Sequence, residues 1–262
     1  MSQLDVLRES LGQCDEIILD ALLMRNRIIE DIMVYKNEHN LPILQPEQEA
    51  KQKVWLEARM EEKRHKKEVK DVFASITKNS KKIQARKLFN YNIFLIGFMG
   101  CGKSTISDYL SNAFAMDVVE MDDIIAKREG MSISDIFETY GEQYFRDVET
   151  NLLVEMQNKS NVVISCGGGT PMRENNVLEM KKNGRVVLLT AQPETVLQRV
   201  KDNHDRPLLE NNKNVSFIAD LMAKRSEKYE AAADIIIQTD GKNEQEICEE
   251  MIQRLRAMDE NK

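Results

Sequence analysis

Residues 97–104 read Gly-Phe-Met-Gly-Cys-Gly-Lys-Ser, which fits the G-x-x-x-x-G-K-S/T pattern of a phosphate-binding loop. Glycines at this spacing let successive backbone N–H groups surround phosphate oxygens at the N-terminus of a helix. The lysine and serine of the pattern neutralise the β- and γ-phosphates and bind Mg²⁺. The pattern therefore predicts a site for ATP and Mg²⁺. The residues that would form it are Gly97, Gly100, Cys101, Gly102, Lys103, Ser104 and Thr105.

Short apolar runs, separated by helical stretches, must position this loop. The candidate strands are residues 92–96, 117–121, 161–165, 185–189 and 234–238. Strands that alternate with helices predict a parallel sheet joined by right-handed helical crossovers. We therefore expect residues 90–262 to form a P-loop, three-layer α/β domain with a parallel five-stranded sheet.

Polar residues and glycines follow the strands of this expected sheet. Asp122 comes after the second strand, and ligands of open α/β sheets bind at the carboxyl ends of strands. Its carboxylate could therefore orient and deprotonate an acceptor hydroxyl, or alternatively cap the next helix. Gly167, Gly168 and Gly169 follow the third strand, where they would let a ligand approach the backbone closely.

From about residue 93 to the C-terminus, the chain resembles the shikimate kinases in six ordered motifs. They are residues 97–105, Met121-Asp122-Asp123, residues 141–146, Gly167-Gly168-Gly169, Arg206-Pro207-Leu208-Leu209, and Lys224-Arg225 with Tyr229. The resemblance implies transfer of the ATP γ-phosphoryl group to the 3-hydroxyl of shikimate. It places Asp122 and the three glycines at the substrate. Arg146 and Arg225 would bind the substrate carboxylate, which guanidinium groups hold bidentately.

Three more residues take roles from the same resemblance. Arg206, in a polar segment (202–214) typical of a lid, would reach the transferring phosphate. Arg199 would pack against adenine. Glu120 stands where the family usually has Asp, so it would reach Mg²⁺ through water. The alternative is a kinase for another small carboxylated polyol such as gluconate, because the arginines favour a carboxylated acceptor without identifying it.

The first ninety residues predict helix almost throughout. Apolar residues recur every three or four positions from Leu4 to Ile32, which predicts one long helix ending near residues 39–40. Pro46 suits the first turn of a second helix, expected over about residues 47–70, and a third is expected over about 69–88. Because so long an apolar seam buries little within one copy, we expect a homodimer through residues 1–89.

Cations interrupt the seam of the first helix. Arg25 and Lys36 are separated by about 20° around a helix and about 16 Å along it. Arg8 is offset from Arg25 by about 260°. A straight helix therefore cannot direct all three cations toward one ligand, but a second subunit could supply Arg8.

Residues 4–88 resemble the all-helical class of chorismate mutases, whose sites combine cations from two intertwined chains. The matching functional positions are Arg8, Arg25, Lys36, Glu49, Ser80 and Gln84. The resemblance implies conversion of chorismate to prephenate, which requires shape, cations and donors toward the developing ether-oxygen charge. Gln48 and Gln45 stand where the family commonly has Arg and Asp. The alternative is a non-catalytic module for dimerisation or regulation.

Composition restricts the partners and the location. The net charge of −7 argues against nucleic acid as a partner. No apolar run approaches the roughly 18 residues of a membrane span, and Asp5, Arg8 and Glu9 are incompatible with a signal-peptide core. Four dispersed cysteines predict free thiols rather than disulfides or a zinc site. With the two resemblances, these features predict a cytoplasmic, bifunctional enzyme of aromatic amino acid biosynthesis that binds no membrane.

Overall fold

The computed structural model describes residues 2–39, 41–201 and 214–260. They belong to two compact units, Met1–Lys87 and Leu88–Lys262. The first unit contains three helices, and the second contains a sheet with helices on both faces. In the part of the chain that the structure describes, no helix combines the length and the apolar character needed to cross a membrane.

The first unit is built on one very long helix, α1 (Gln3–Glu38). Ser2 and Asp5 form a capping box at its start, which satisfies two backbone donors of the first turn. The helix ends where the sequence predicts, immediately before Leu41-Pro42. Helix α2 (Pro46–Met60) has Pro46 at its first position, as expected.

The boundary between the second and third helices differs from the prediction. A second helix was expected to continue to about residue 70, but α2 ends at Met60 and α3 (Lys66–Leu88) begins six residues later. Glu62 and His65 between them have positive φ values of 59° and 56°. The chain reverses here, so that α3 packs beside α2. The ring centroids of Trp55 and Phe73 lie 6.1 Å apart. Charged residues surround this turn, so no change in apolar periodicity marks it.

The apolar seam of α1 is uncovered over most of its length. Leu4, Leu7, Leu11 and Ile18 are each more than half exposed, and within the described part of α1 only Met33 and Lys36 are buried. Exposed apolar surface of this extent marks an interaction site. One copy of the chain therefore leaves the seam without a packing partner over its first half.

The second unit contains five parallel strands, which confirms the expected fold class. They are β1 (Asn92–Ile96), β2 (Asp117–Glu120), β3 (Val162–Ser165), β4 (Gly184–Thr190) and β5 (Ile235–Gln238). Their order in the sheet is β2-β3-β1-β4-β5. β1 pairs with β3 on one side and with β4 on the other. The strands that follow β1 in the chain are therefore added first on one side of it and then on the other. Ligands of open parallel sheets bind at such a point, beyond the carboxyl ends of the strands.

Helices cover both faces of the sheet and make three layers. Seven helices follow β1 in the described chain: α4 (Lys103–Phe114), α5 (Met121–Glu129), α6 (Ile133–Met156), α7 (Glu174–Lys182), α8 (Pro193–Val200), α9 (Val215–Ala232) and α10 (Glu244–Glu260). Helices α4 and α10 pack together on one face, with Leu110 and Met251 fully buried. Residues of α5, α6, α7 and α9 form the core on the other face. A short 3₁₀-helix (Thr170–Met172) follows β3.

Helix α6 is bent at Gly141, whose φ of 82° and ψ of 167° are not helical. Glycine adopts this conformation without steric cost, so Gly141 separates two helical segments that run in different directions. The second half of α6 carries Arg146 and Glu149 toward the carboxyl end of β3.

Candidate functional site

The phosphate-binding loop lies between β1 and α4. Gly97, Gly100 and Gly102 have φ values of 140°, 77° and 101°, which favour glycine. A methyl group on Gly97 would also overlap the Leu189 carbonyl oxygen. The Lys103 ammonium donates to the carbonyl oxygens of Gly97 and Phe98 at 2.9 and 3.2 Å. The loop thus holds a positive charge beside the N-terminus of α4, as an anion site requires.

Two hydroxyls of α4 hold the carboxylate at the end of β2. Ser104 Oγ donates to Glu120 Oε2 at 3.1 Å, and the buried Ser107 Oγ donates to Glu120 Oε1 at 2.6 Å. A hydroxyl and a carboxylate are the oxygen ligands that Mg²⁺ accepts, directly or through water. The pair Ser104 and Glu120 therefore fits a magnesium site beside the phosphate-binding loop. Ser107, which orients Glu120, was not identified from the sequence.

A cavity of about 470 Å³ extends from this loop to the connection between β5 and α10. Its wall includes Arg199 from α8 together with Thr239 and Lys242 from that connection. Arg199 Nη1 donates to the Gly100 carbonyl oxygen at 3.2 Å and to Thr239 Oγ1 at 3.0 Å. The cavity has the position expected for the base and sugar of a nucleotide whose phosphates lie in the loop. The sequence analysis identified Arg199 but neither Thr239 nor Lys242.

The three consecutive glycines after β3 are the point where the expected substrate residues meet. A methyl group on Gly167 would lie 2.8 Å from Asp122 Oδ1, and one on Gly168 would lie 3.7 Å from Arg225 Nη1. A methyl group on Gly169 would overlap the Arg146 guanidinium. Residues separated by more than a hundred positions therefore converge on one short segment. The glycines allow this convergence because they have no side chains.

Asp122 occupies the first turn of α5 rather than its N-cap, which is Glu120. The alternative that Asp122 serves only to cap this helix is therefore wrong. The carboxylates of Asp122 and Glu149 both lie beside Gly167. A methyl group on Gly167 would be 2.8 Å from Glu149 Oε1, as it would be from Asp122 Oδ1. Two acidic groups thus face one side of the site.

Glu149 is a buried partner of Arg146 that the sequence analysis missed. Arg146 Nη1 donates to Glu149 Oε2 at 2.5 Å, and Thr170 Oγ1 donates to Glu149 Oε1 at 2.7 Å. Burial raises the pKa of the Glu149 carboxyl, although the Arg146 charge acts in the opposite direction. The guanidinium of Arg146 is thereby fixed beside Gly169. In sequence, Glu149 resembles any acid three residues after an arginine on a helix surface, and only tertiary packing buries it.

Tyr229 joins α9 to the glycine segment. Its hydroxyl donates to the Gly168 carbonyl oxygen at 2.6 Å. Burial raises the Tyr229 pKa to about 12, so the hydroxyl stays a donor at neutral pH. Arg225 lies one turn earlier on the same helix and faces Gly168. Arg206 and the segment 202–213 fall outside the described residues.

In the first unit, α1 and α3 bring two of the predicted chorismate-site residues, Arg25 and Ser80, into contact. Arg25 donates a hydrogen bond to the Ser80 hydroxyl, and burial lowers the pKa of Arg25. Gln84 lies one turn after Ser80 on α3 and is half-buried. The buried Lys36 donates to the Ile43 carbonyl oxygen at 2.8 Å.

The remaining two chorismate-site residues lie differently. Glu49 on α2 forms an ion pair with Lys81 on α3 at 2.9 Å. Lys81 was not identified from the sequence, although it follows Ser80 directly. Arg8 is exposed, seventeen residues before Arg25 on α1, which places it about 25 Å along the helix. One copy of the chain therefore does not bring Arg8 to the group around Arg25.

Comparison with known proteins finds a family match in each of the two units. The family model for shikimate kinase matches residues 99–256. The chain belongs to the shikimate kinase family. The model for chorismate mutase type II matches residues 7–85. The two matches together identify a bifunctional enzyme, with a chorismate mutase region before the shikimate kinase.

Similar proteins of this family align with the second unit over nearly their whole length. The shikimate kinases of Persephonella marina and a Sulfurihydrogenibium species are 42% and 41% identical over 165 residues, which is 63% of this chain and 99% and 98% of theirs. The structure of Acinetobacter baumannii shikimate kinase in complex with shikimate has a TM-score of 0.59 at 31% identity, covering 66% of this chain and 96% of that one. Aquifex aeolicus shikimate kinase gives 0.55 at 38% identity, covering 64% and 97%.

Proposed function

We propose that residues 90–262 phosphorylate the 3-hydroxyl of shikimate through the residues gathered at Gly167–Gly169, and that residues 1–89 convert chorismate to prephenate. The observation that carries the kinase proposal is the convergence of Asp122, Arg146 and Arg225 on three glycines beside the phosphate-binding loop. Two guanidinium groups and one carboxylate suit a small substrate with a carboxylate and hydroxyls. Gluconate shares these groups, but the family match favours shikimate.

The phosphoryl transfer follows from the charges of these residues. Arg146 and Arg225 bind the shikimate carboxylate and so direct the 3-hydroxyl toward the phosphate-binding loop. Asp122 accepts a hydrogen bond from that hydroxyl and takes up its proton as the hydroxyl oxygen bonds to the γ-phosphorus. The bond from the γ-phosphorus to the β–γ bridging oxygen breaks, and ADP leaves. Lys103 stabilises negative charge on the phosphates throughout.

The structure supports a magnesium site at Ser104 and Glu120. When bound, Mg²⁺ would neutralise phosphate oxygens of ATP. Ser104 would provide a direct oxygen ligand, and Glu120 would accept hydrogen bonds from metal-bound water. Ser107 holds the Glu120 carboxylate at the orientation that this role requires, since it occupies one carboxylate oxygen at 2.6 Å.

The mutase proposal rests on the hydrogen bond from Arg25 on α1 to Ser80 on α3, together with the buried Lys36 and the half-buried Gln84 on the same two helices. Arg25 and Lys36 supply positive charge for the two carboxylates of chorismate, and Lys36 and Gln84 would donate to its ether oxygen. Glu49, oriented by Lys81, would accept a hydrogen bond from the substrate hydroxyl. No residue needs to change its protonation state, because the rearrangement involves no acid–base step.

A homodimer through residues 1–89 would complete this site. The exposed seam residues Leu4, Leu7 and Leu11 lie on the same half of α1 as Arg8. A second copy that covers this seam would carry its own Arg8 toward the Arg25 group. The cytoplasm is the proposed location, because the kinase reaction consumes ATP.

The two activities are tested by substrate comparison on the full-length protein. With ATP and Mg²⁺ present, kcat/KM for ADP release should be at least about a hundredfold higher with shikimate than with gluconate. The absorbance of chorismate should decline when the protein is added. Lys36→Met should abolish that decline, whereas the control Lys70→Met, on the α2–α3 surface, should not. Equal use of shikimate and gluconate would contradict the kinase proposal. Stable chorismate would support the non-catalytic alternative for residues 1–89.

A further inference from the structure

Thr239 is a buried residue at the end of β5, where the chain leaves the sheet toward α10. Its backbone N–H donates to the Thr190 carbonyl oxygen at 2.9 Å, and its hydroxyl donates to the same oxygen at 3.1 Å. The hydroxyl proton is therefore committed to β4. Its lone pairs point to the other side, where Arg199 Nη1 donates to Thr239 Oγ1 at 3.0 Å.

Arg199 also reaches a second acceptor in the wall of the same cavity. The same guanidinium nitrogen donates to the Gly100 carbonyl oxygen in the phosphate-binding loop at 3.2 Å. Arg199 is exposed and its helix, α8, ends one residue later. The two acceptors together hold the guanidinium across the rim of the cavity.

We propose that Thr239 is a positioning residue for ATP, because its hydroxyl fixes the Arg199 guanidinium where the adenine base would stack. The inference rests on the proposed kinase function, which supplies the nucleotide. A long arginine side chain loses rotamer entropy when it is ordered, so a group that orders it before ATP arrives strengthens binding. Thr239 needs no contact with ATP to have this effect. Its role is to position the Arg199 side chain relative to β4 and β5.

A matched pair of substitutions separates the hydroxyl from the shape of the side chain. Thr239→Val keeps the volume but loses the hydroxyl, and Thr239→Ser keeps the hydroxyl but loses the methyl group. We expect Thr239→Val to raise the KM for ATP about tenfold, with the KM for shikimate unchanged. Thr239→Ser should restore most of the ATP affinity. Thr77→Val, which removes a hydroxyl bonded within α3, is the control and should change neither KM.

A double-mutant cycle tests whether Thr239 acts through Arg199. If it does, Thr239→Val combined with Arg199→Ala should weaken ATP no further than Arg199→Ala alone. The same comparison can be made with ATP dissociation constants from calorimetry, which need no phosphorylation assay. Failure of the Thr239 proposal can therefore be distinguished from failure of the proposed shikimate kinase activity. Should Thr239→Val fold poorly, Thr239→Ala removes the same hydroxyl. The proposal is wrong if ATP affinity is unchanged in the hydroxyl-free variants, or if the two substitutions weaken ATP additively.

Discussion

Gly169 and Arg146 lie so close that any side chain on Gly169 would overlap the guanidinium of Arg146. Gly169 has a φ of −96°, a value that every residue can adopt. The requirement for glycine here is therefore the space that Arg146 occupies. Gly169 thus leaves the space in which the Arg146 guanidinium lies.

Replacement of Gly169 by alanine should displace Arg146 and raise the KM for shikimate by about an order of magnitude, because a small displacement of a binding group is costly. Steady-state kinetics with ATP at saturation measure this effect. Gly12→Ala, on α1, is the control, since nothing lies within 4 Å of the methyl group that it adds. An unchanged shikimate KM in Gly169→Ala would show that the space at Gly169 does not control Arg146.

Replacement of Arg146 by alanine should raise the KM for shikimate about ten- to a hundredfold and affect ATP much less. A hydrogen bond to a charged group contributes roughly 1.5–3 kcal/mol, which corresponds to that range. Arg128→Ala removes an arginine of the same unit whose ion pair with Glu155 is half exposed, and it should leave both values unchanged. Equal effects of the two substitutions on shikimate would exclude Arg146 from the substrate site.

The buried Glu149 should make stability depend on pH. Burial raises its pKa in the folded protein above the value in the unfolded chain. Folding therefore takes up a proton between these two pKa values, and the Glu149 contribution to the free energy of unfolding decreases as pH rises through that range. Glu149→Gln removes this dependence. Relative to wild type, the variant should become progressively more stable as pH rises above about 4.3, the ordinary pKa of a glutamate carboxyl.

Calorimetry on the full-length protein can measure this difference, with the kinase transition recognised because shikimate shifts it upward. Glu142→Gln provides a control, since Glu142 is also paired with Arg146 but is largely exposed. A stability difference between wild type and Glu149→Gln that is constant over the pH range would contradict the assignment of the raised pKa to Glu149.

Each mutase site should be shared between two subunits. Arg8→Ala and Arg25→Ala homodimers should both be nearly inactive on chorismate, because every site in each lacks one cation. A mixed dimer contains one site with neither substitution, so co-refolding the two variants should recover activity. Absence of recovery, although both variants dimerise and the wild type is active, would rule out the shared site. A monomeric full-length protein at micromolar concentration would rule out the dimer.

The sequence predicts the strands of the second unit well because each is a short apolar run that begins at an asparagine, an aspartate or an arginine. Half of the ten predicted limits coincide with the observed ones and the other half differ by one residue; Met121, for example, opens α5 instead of ending β2. The turn between α2 and α3 was missed for the opposite reason. Its residues are charged throughout, so helix and turn have the same pattern there.

Site residues within a motif were predictable, and those that act through tertiary contact were not. Lys103 and Ser104 belong to a pattern whose spacing specifies their role. Glu149 and Thr239 have ordinary types at unremarkable positions, and their importance follows from burial against Thr170 and Thr190. Sequence periodicity does not report which buried hydroxyl or carboxylate will face a distant arginine.

The central claim is that one chain carries two chemically independent activities, and both can be assayed on the same preparations of three proteins. Wild type should phosphorylate shikimate and convert chorismate. Lys103→Ala should lose at least about a hundredfold in shikimate phosphorylation with chorismate turnover unchanged, because the lysine serves only the phosphates. Arg25→Ala should show the reverse. Loss of both activities in either variant at unchanged helicity, or chorismate left intact by the wild type, would contradict the claim.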